Sequence, residues 1–373
     1  MKEKKIIPAL TGIRAICVYL IFFYHLNSFD PILHPNLFLM LNQFYTFLTF
    51  FFVLSGFLIY HRYGDVRYSD KTKIHNYFVS RISRVFPILL LLITITFLLA
   101  LYHGYYDKKE TLLLYLLNIS LLKGFSSKYF LSGIGPSWSM SVEELFYLLS
   151  PILFLYGNNI KSLIVTILIF YGLGIVITYS FSLFPNSGFF NSYIFTAYHT
   201  FFGRIFEFAC GIFLGFLVKG FYPNHIIHRL CKKSMHIGIF IIVTSVFLLS
   251  LIAKKYQIQH AIEVWPGVAV NNILMPVGIT FIFYSLIYHN SILRNFLASK
   301  IMVQLGNATY SFYLLHTTFL LSYIYKFIGR NIVVTFITMI IVSYIFYRLV
   351  EQPAAVFIKK RFYKKKVNYT TGV

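Results

Sequence analysis

Charge is what this sequence has least of. Only 12% of its 373 residues are charged while 58% are hydrophobic, where a soluble domain carries roughly a quarter charged residues. That scarcity excludes a soluble globular domain. Cysteine is also sparse: Cys17, Cys210 and Cys231 stand in or beside apolar stretches with no pairing or metal-ligand spacing. They read as buried thiols, so neither a disulfide framework nor a metal site is expected. No ten-residue segments of alternating polarity occur, which excludes an outer-membrane barrel. No Gly/Ser linker, low-complexity tract or internal repeat divides the chain. No small-residue cleavage site follows MKEKKIIPALTGIRAICVYLIFF, so this stretch reads as a retained first helix rather than a signal peptide. The patterns GxxxxGK[ST], GxGxxG, HExxH and GxSxG are all missing, which leaves soluble nucleotide chemistry and a covalent serine mechanism without support.

What is present is a series of apolar blocks near twenty residues long, the length of helix that crosses about 30 Å of hydrocarbon. In lipid the backbone must satisfy its own hydrogen bonds, so such blocks are helices. Mean hydropathy is +0.71. The expected spans are 8–29, 37–60, 84–103, 139–156, 161–182, 198–218, 236–253, 265–288, 307–327 and 331–350. The apolar stretch 111–122 is too short to cross and is expected to lie in the interface or re-enter. The sequence thus predicts an all-α integral membrane protein of about ten transmembrane helices in one bundle spanning residues 1–353, with a basic cytoplasmic tail at 354–373.

The formal charge of +22 does not indicate nucleic-acid binding, because the cations sit in short loops between spans, where an excess marks the cytoplasmic side. With both termini inside, only Lys108, Lys109, Lys123, Lys128, Lys254, Lys255, Lys326 and Arg330 fall outside. Arg14, Arg204 and Arg348 lie within spans, and the rest of the 33 cations fall inside. The asymmetry favours this orientation.

Ionisable groups inside a bilayer cost several kcal/mol each and so mark candidate function. Arg14 and His25 are eleven residues apart in the first span, within about 20° of one helical face and about 16 Å along its axis. A neutral imidazole there is suited to take a proton from an attacking hydroxyl; a snorkelling arginine and a hydrogen-bonded bundle histidine fit the spacing equally. The run GPSWSMSVEELFYLLSP brings Trp138, Ser139, Ser141, Glu143 and Glu144 to a span's start. Glu143 can orient His25, pair with an arginine or anchor a helix N-terminus; adjacent helical residues differ by 100°, so Glu144 need not share its face. Arg81 and Arg84, one turn apart, suit a phosphate, though flanking cations look the same. Arg204 and Glu207 can pair across one turn as a structural salt bridge. His316 lies in an aromatic span and reads as a satisfied bundle residue, and Glu351 as a helix-end anchor.

Taken in order, LTGIRAICVYLIFFYH (10–25), FFVLSGFLI (51–59), RISRVFP (81–87), PSWSMSVEELFYLLSP (136–151), RIFEFACG (204–211), GNATYSFYLLH (306–316) and EQP (351–353) make the chain resemble the acyltransferase 3 family of membrane O-acyltransferases. Each run is loose alone; their joint order spans nearly the whole chain. The resemblance implies a bacterial inner-membrane enzyme that takes an acyl group, usually acetyl, from cytoplasmic acetyl-CoA to a hydroxyl of a surface or secreted carbohydrate such as lipopolysaccharide O-antigen, capsule or exopolysaccharide. Carried over by position, the family's essential Arg and His fall on Arg14 and His25, its arginine pair on Arg81 and Arg84, and its WS…E motif on Trp138, Ser139 and Glu143. On that basis His25, Arg14 and Glu143 are the expected catalytic residues and Arg81 and Arg84 the expected donor-binding ones. Trp138, Ser139, Ser141, Arg204, Glu207 and His316 are expected to support substrate or structure. The chain ends 22 residues after Glu351, so it resembles the stand-alone type, without the extracytoplasmic hydrolase-like domain of many relatives. The expected partners are membrane lipids, acyl-CoA and a carbohydrate acceptor. A transporter or flippase for glycans or lipids would equally fit ten spans with intramembrane charges; discontinuous spans or an internal repeat would favour it.

Overall fold

A computed structural model of the protein describes residues 7–26, 32, 34–64, 70–156, 159–220 and 233–364; Cys231 and the end of the basic tail lie outside them. Among these residues there is no strand, only an isolated bridge between Ser126 and Phe189. The helices in chain order are α1 (Pro8–His25), α2 (Pro35–Tyr63), α3 (Lys71–Tyr102), α4 (Lys108–Ile119), α5 (Trp138–Tyr156), α6 (Ile160–Ser182) and α7 (Tyr193–Val218). They continue with α8 (Ser234–Tyr256), α9 (Trp265–Tyr288), α10 (Ile292–Leu297), α11 (Lys300–Asn307), α12 (Thr309–Leu315), α13 (Phe319–Ile328) and α14 (Ile332–Phe362). Among the described residues eight are long and apolar enough to cross a membrane: α1, α2, α3, α6, α7, α8, α9 and α14. The chain is a polytopic all-α membrane bundle.

Two expected spans fall outside those eight. The segment 139–156 forms the single 19-residue helix α5. The segment 307–327 is not one helix, because it breaks between α12 and α13. Thr318 takes extended backbone geometry and its hydroxyl caps α13 by accepting from the Leu320 amide, at 3.4 Å, while donating to Leu315 O at 2.8 Å. A threonine that bonds its own neighbours offers the backbone an alternative to the helical ladder. The last turn of α12 and the start of this break hold His316.

The final helix also departs from expectation. Rather than ending near residue 350, α14 runs on to Phe362 through a π-helical turn at Tyr347–Glu351. Pro353 lacks an N–H and its ring crowds the carbonyl four residues back; the wider π turn accommodates it without ending the helix. The extension packs on α3, where His75 Nε2 meets Phe362 O at 2.9 Å and Asn76 bonds Lys364.

Along α14 the small polar residues face inward and the apolar ones outward. On α14, Thr335, Met339 and Ser343 recur every four residues and are buried, while Val333, Ile337, Ile341 and Ile345 face outward. The tightest helix pair is α2 on α7. A Cβ on Gly56 would stand 2.2 Å from Phe208 O, and one on Gly211 only 2.0 Å from Val53 O. These two glycines, from FFVLSGFLI and RIFEFACG, let the backbones touch and draw Arg204 on α7 against α2.

Candidate active site

At the N-terminal end of α1, the helical periods of α1 and α3 bring Arg14, Arg81 and Arg84 together. With Arg62 from the end of α2, they line a vestibule of about 220 Å³ that is closed on one side by Tyr347 and Glu351 of α14. Glu351 is largely buried and accepts from Ser311 at 2.6 Å. Arg81 is buried, its guanidinium 5.7 Å from the Tyr63 ring centroid and 5.3 Å from that of Tyr147. Its tip donates to Ser80 Oγ at 3.4 Å and also meets the Tyr63 side chain, and among the described residues its Nε has no hydrogen-bond partner. Among the described residues no carboxylate lies within ion-pair distance of Arg14, Arg81 or Arg84. A buried guanidinium left this way is a site prepared for an anion.

Above the vestibule lies a narrow cavity of about 50 Å³, lined by the same three arginines with Ser55, Glu143 and Tyr313. Glu143 faces inward and accepts from the hydroxyls of Ser55 and Tyr147. It is therefore held by α2 and its own helix; neither His25 nor an arginine is its hydrogen-bond partner here. Glu144, a hundred degrees round α5, is buried elsewhere, with Oε1 unpartnered.

Tyr313 forms the far wall. Its hydroxyl donates to Pro136 O at 2.9 Å and lies 2.8 Å from Ser139 Oγ, while its ring lies 5.8 Å from that of His316. His316 is buried, and its Nε2 is 3.1 Å from Nδ1 of His25. Each imidazole also has Nδ1 near the carbonyl four residues back, Ile21 O at 3.0 Å for His25 and Phe312 O at 3.2 Å for His316. Assigning both as Nδ1–H tautomers accounts for all three contacts, with the one His25 proton shared between Ile21 O and His316 Nε2, and leaves Nε2 of His25 without a proton. His25 is the last residue of α1 and is exposed. Tyr24 flanks the ring at 4.6 Å and bonds His260 at 3.0 Å, and His260 in turn meets Glu263 at 3.3 Å.

The sequence-predicted residues thus fall into three places. Arg14, Arg81, Arg84 and Glu143 converge on the cavity, and His25 and His316 meet beyond it. Trp138 packs on His199 and Tyr198, Ser139 anchors Tyr313, and Ser141 donates to Leu121 O, bracing the wall. Arg204 and Glu207 lie apart as a fully buried ion pair at 2.9 Å. Arg204 also reaches Asn272 Oδ1 and Thr49 Oγ1, each at 3.2 Å. The side chains that sequence reasoning passed over are Arg62, Ser55, Tyr147, Tyr313 and His260. Tyr313 was within reach, since it stands one turn before His316.

The profile of the family described as an acyltransferase domain matches residues 7–348. The chain is also similar to O-acetyltransferase OatA of Staphylococcus aureus, in strains NCTC 8325, COL and MRSA252 alike. Each is 24% identical over 394 aligned residues, covering 98% of this chain and 59% of the relative. No solved structure gives a significant match. The profile covers nearly all of the helices that build the cavity and the histidine pair, and the chain belongs to the acyltransferase 3 family.

Proposed function

We propose that the protein moves an acetyl group from acetyl-CoA to a hydroxyl of a cell-surface or secreted carbohydrate, across a bacterial inner membrane with both termini cytoplasmic. The observation that carries this reading is the polarity of α1. One end contributes Arg14 to an arginine-lined vestibule in which, among the described residues, no carboxylate stands at ion-pair distance, and the other presents an imidazole about 16 Å away along the helix. Family membership and the likeness to OatA, whose name records O-acetyl transfer, support it.

In this mechanism the CoA phosphates dock on Arg62, Arg81 and Arg84, and the pantetheine arm extends towards Tyr313. The cavity of about 50 Å³ is too narrow for that arm, so its entry requires Tyr313 and Tyr147 to swing aside. His25 Nε2 takes the proton of the acceptor hydroxyl as its oxygen attacks the thioester carbonyl. The C–S bond then breaks, and the CoA thiolate leaves with the proton from the imidazolium. His316 orients His25, and Arg14 binds and orients the donor rather than the oxyanion. His25 serving as a transient acyl carrier is the variant of this scheme with the same residues.

The test is purified protein with acetyl-CoA and acceptor glycan, followed by release of CoA thiol and by glycan mass spectrometry. His25→Ala is expected to abolish acetylation while inserting normally; near-normal acetylation by that variant would sink the mechanism. The broken helix at His316–Thr318 is the observation that favours the second reading, a transporter for glycans or lipids. Glycan movement without thiol release would establish it.

A further inference from the structure

A second concavity opens at the same end of the bundle as His25. The direction follows from the chain: α3 passes Arg14 at Arg81 and Arg84, and its C-terminal end lies beside Phe319, close in sequence to the His316 that meets His25. There, His103, Tyr105 and Tyr106 face α13, whose Phe319 follows His316 by three residues. On α13, Phe319, Ser322, Tyr323 and Lys326 share one helical face, and with the end of α3 they enclose a groove of about 420 Å³. That volume is within the range of about 300–1,000 Å³ usual for small-molecule sites.

The lining has a specific chemistry. Tyr105, Tyr106 and Tyr323 are 71%, 40% and 45% exposed, so the protein leaves their rings open to a partner. His103 and Tyr105 lie ring to ring at 5.6 Å, and Phe319 and Tyr323 at 6.3 Å, so two aromatic pairs form opposite walls. Hydroxyls of Tyr105, Tyr106, Ser322 and Tyr323 rim the groove. Lys326 is its one lysine or arginine, and no carboxylate lines it. A sugar ring presents apolar C–H faces and a girdle of hydroxyls, which matches flat rings edged by hydroxyl donors and acceptors. A phospholipid headgroup would instead call for a cluster of cations.

Resting on the acyl-transfer reading, we infer that this groove holds the acceptor as an oligosaccharide bearing an acidic sugar, with the rings of Tyr105 and Tyr323 on its C–H faces and Lys326 on its carboxylate. The groove presents the acceptor at the side of the molecule where His25 stands.

The test uses the full chain in lipid nanodiscs with fluorescein-labelled tetragalacturonate and, as the neutral control, labelled maltotetraose, read by fluorescence anisotropy. Wild type is expected to prefer the galacturonate. Tyr105→Ala and Tyr323→Ala should weaken its binding at least tenfold, and Lys326→Gln should erase the preference over maltotetraose. These side chains are exposed, so the variants are expected to fold; an unchanged thermal unfolding midpoint in detergent verifies that. Equal binding by wild type and tyrosine variants, no binding by wild type, or displacement by equimolar glycerol phosphate would each overturn the groove. Thiol release with unaltered glycan binding in the variants sinks the groove and leaves acyl transfer standing. Groove-dependent binding in a wild type that never releases thiol does the reverse.

Discussion

Two arginine sites in the same bundle are built in opposite ways. Arg204 is wholly enclosed and ion-paired: its Nε lies 2.9 Å from Glu207 Oε1, Asn272 and Thr49 accept from the guanidinium at 3.2 Å, and the rings of Tyr198 and Phe52 stand at 4.7 and 5.0 Å. Asn272 sits in a π-helical turn of α9 and also donates to Ala197 O and Gly203 O, so the network ties α9, α7 and α2 into one unit. Arg81 is as deeply placed, but among the described residues no carboxylate lies within ion-pair distance of it; the rings of Tyr63 and Tyr147 and the Ser80 hydroxyl surround it instead. In a low-dielectric bundle the first arrangement spends its charge on holding helices together, and the second keeps charge in reserve. A guanidinium with its own carboxylate is architecture; one without is waiting for an anion.

The largest expected effect separates these roles. Arg204→Met strands Glu207 without its cation and should cost about 3–5 kcal/mol of bundle stability, with much of it regained in Arg204→Met/Glu207→Leu. Thermal unfolding in detergent reads both; a double variant no better than the single would show that the pair does more than neutralise itself. Arg81→Met should do the converse. Its fold is expected to be retained or slightly stabilised, while the KM for acetyl-CoA rises about 10- to 100-fold, the loss of a charged hydrogen bond worth about 1.5–3 kcal/mol. A normal KM with impaired folding would move Arg81 into the same class as Arg204.

The distinction was only half legible in the sequence. Arg204 and Glu207 are three residues apart on one helix, so local spacing announces their pairing. Arg14 and Arg84 meet through tertiary packing, which no local period reveals, and only the joint order of the motif runs suggested that they share a site. The 100° step between neighbours said that Glu143 and Glu144 need not share a face, but that Glu143 is the inward one, held by Ser55 and Tyr147, comes from packing against α2 and from one turn along α5. The break after His316 was hidden because apolar periodicity carries on across Thr317 and Thr318, whose capping chemistry outweighs it. The continuation of α14 past Pro353 was hidden for a related reason: a proline ordinarily ends a helix, and the π turn that rescues it has no sequence pattern of its own.

Lys123 offers a smaller and finer test of the same contrast, because a lysine can shed its charge where an arginine cannot. Outside the spans, in the 3₁₀ turn after α4, its ammonium is fully buried and donates to Ser132 O at 2.6 Å and Ile134 O at 2.8 Å. These contacts fix the loop that leads into Pro136 and Trp138. Burial pushes the Lys123 amine down to about 7 from 10.5. Below pH 7 the amine is charged whether the loop is closed or open, so its burial cost is constant and at its largest. Between about pH 7 and 10.5 the open state binds more protons, and closure is expected to strengthen with rising pH, by at most about 1.4 kcal/mol per unit. Amide hydrogen exchange over 130–136, corrected for intrinsic rates, should therefore show greater protection at pH 9 than at pH 6. Lys123→Met should lower protection at both values, by the order of 1–3 kcal/mol for two carbonyls left unpaired, and flatten the pH dependence. A slope that survives in the methionine variant would assign it to another group and leave Lys123 a hydrogen-bonding strut of fixed charge.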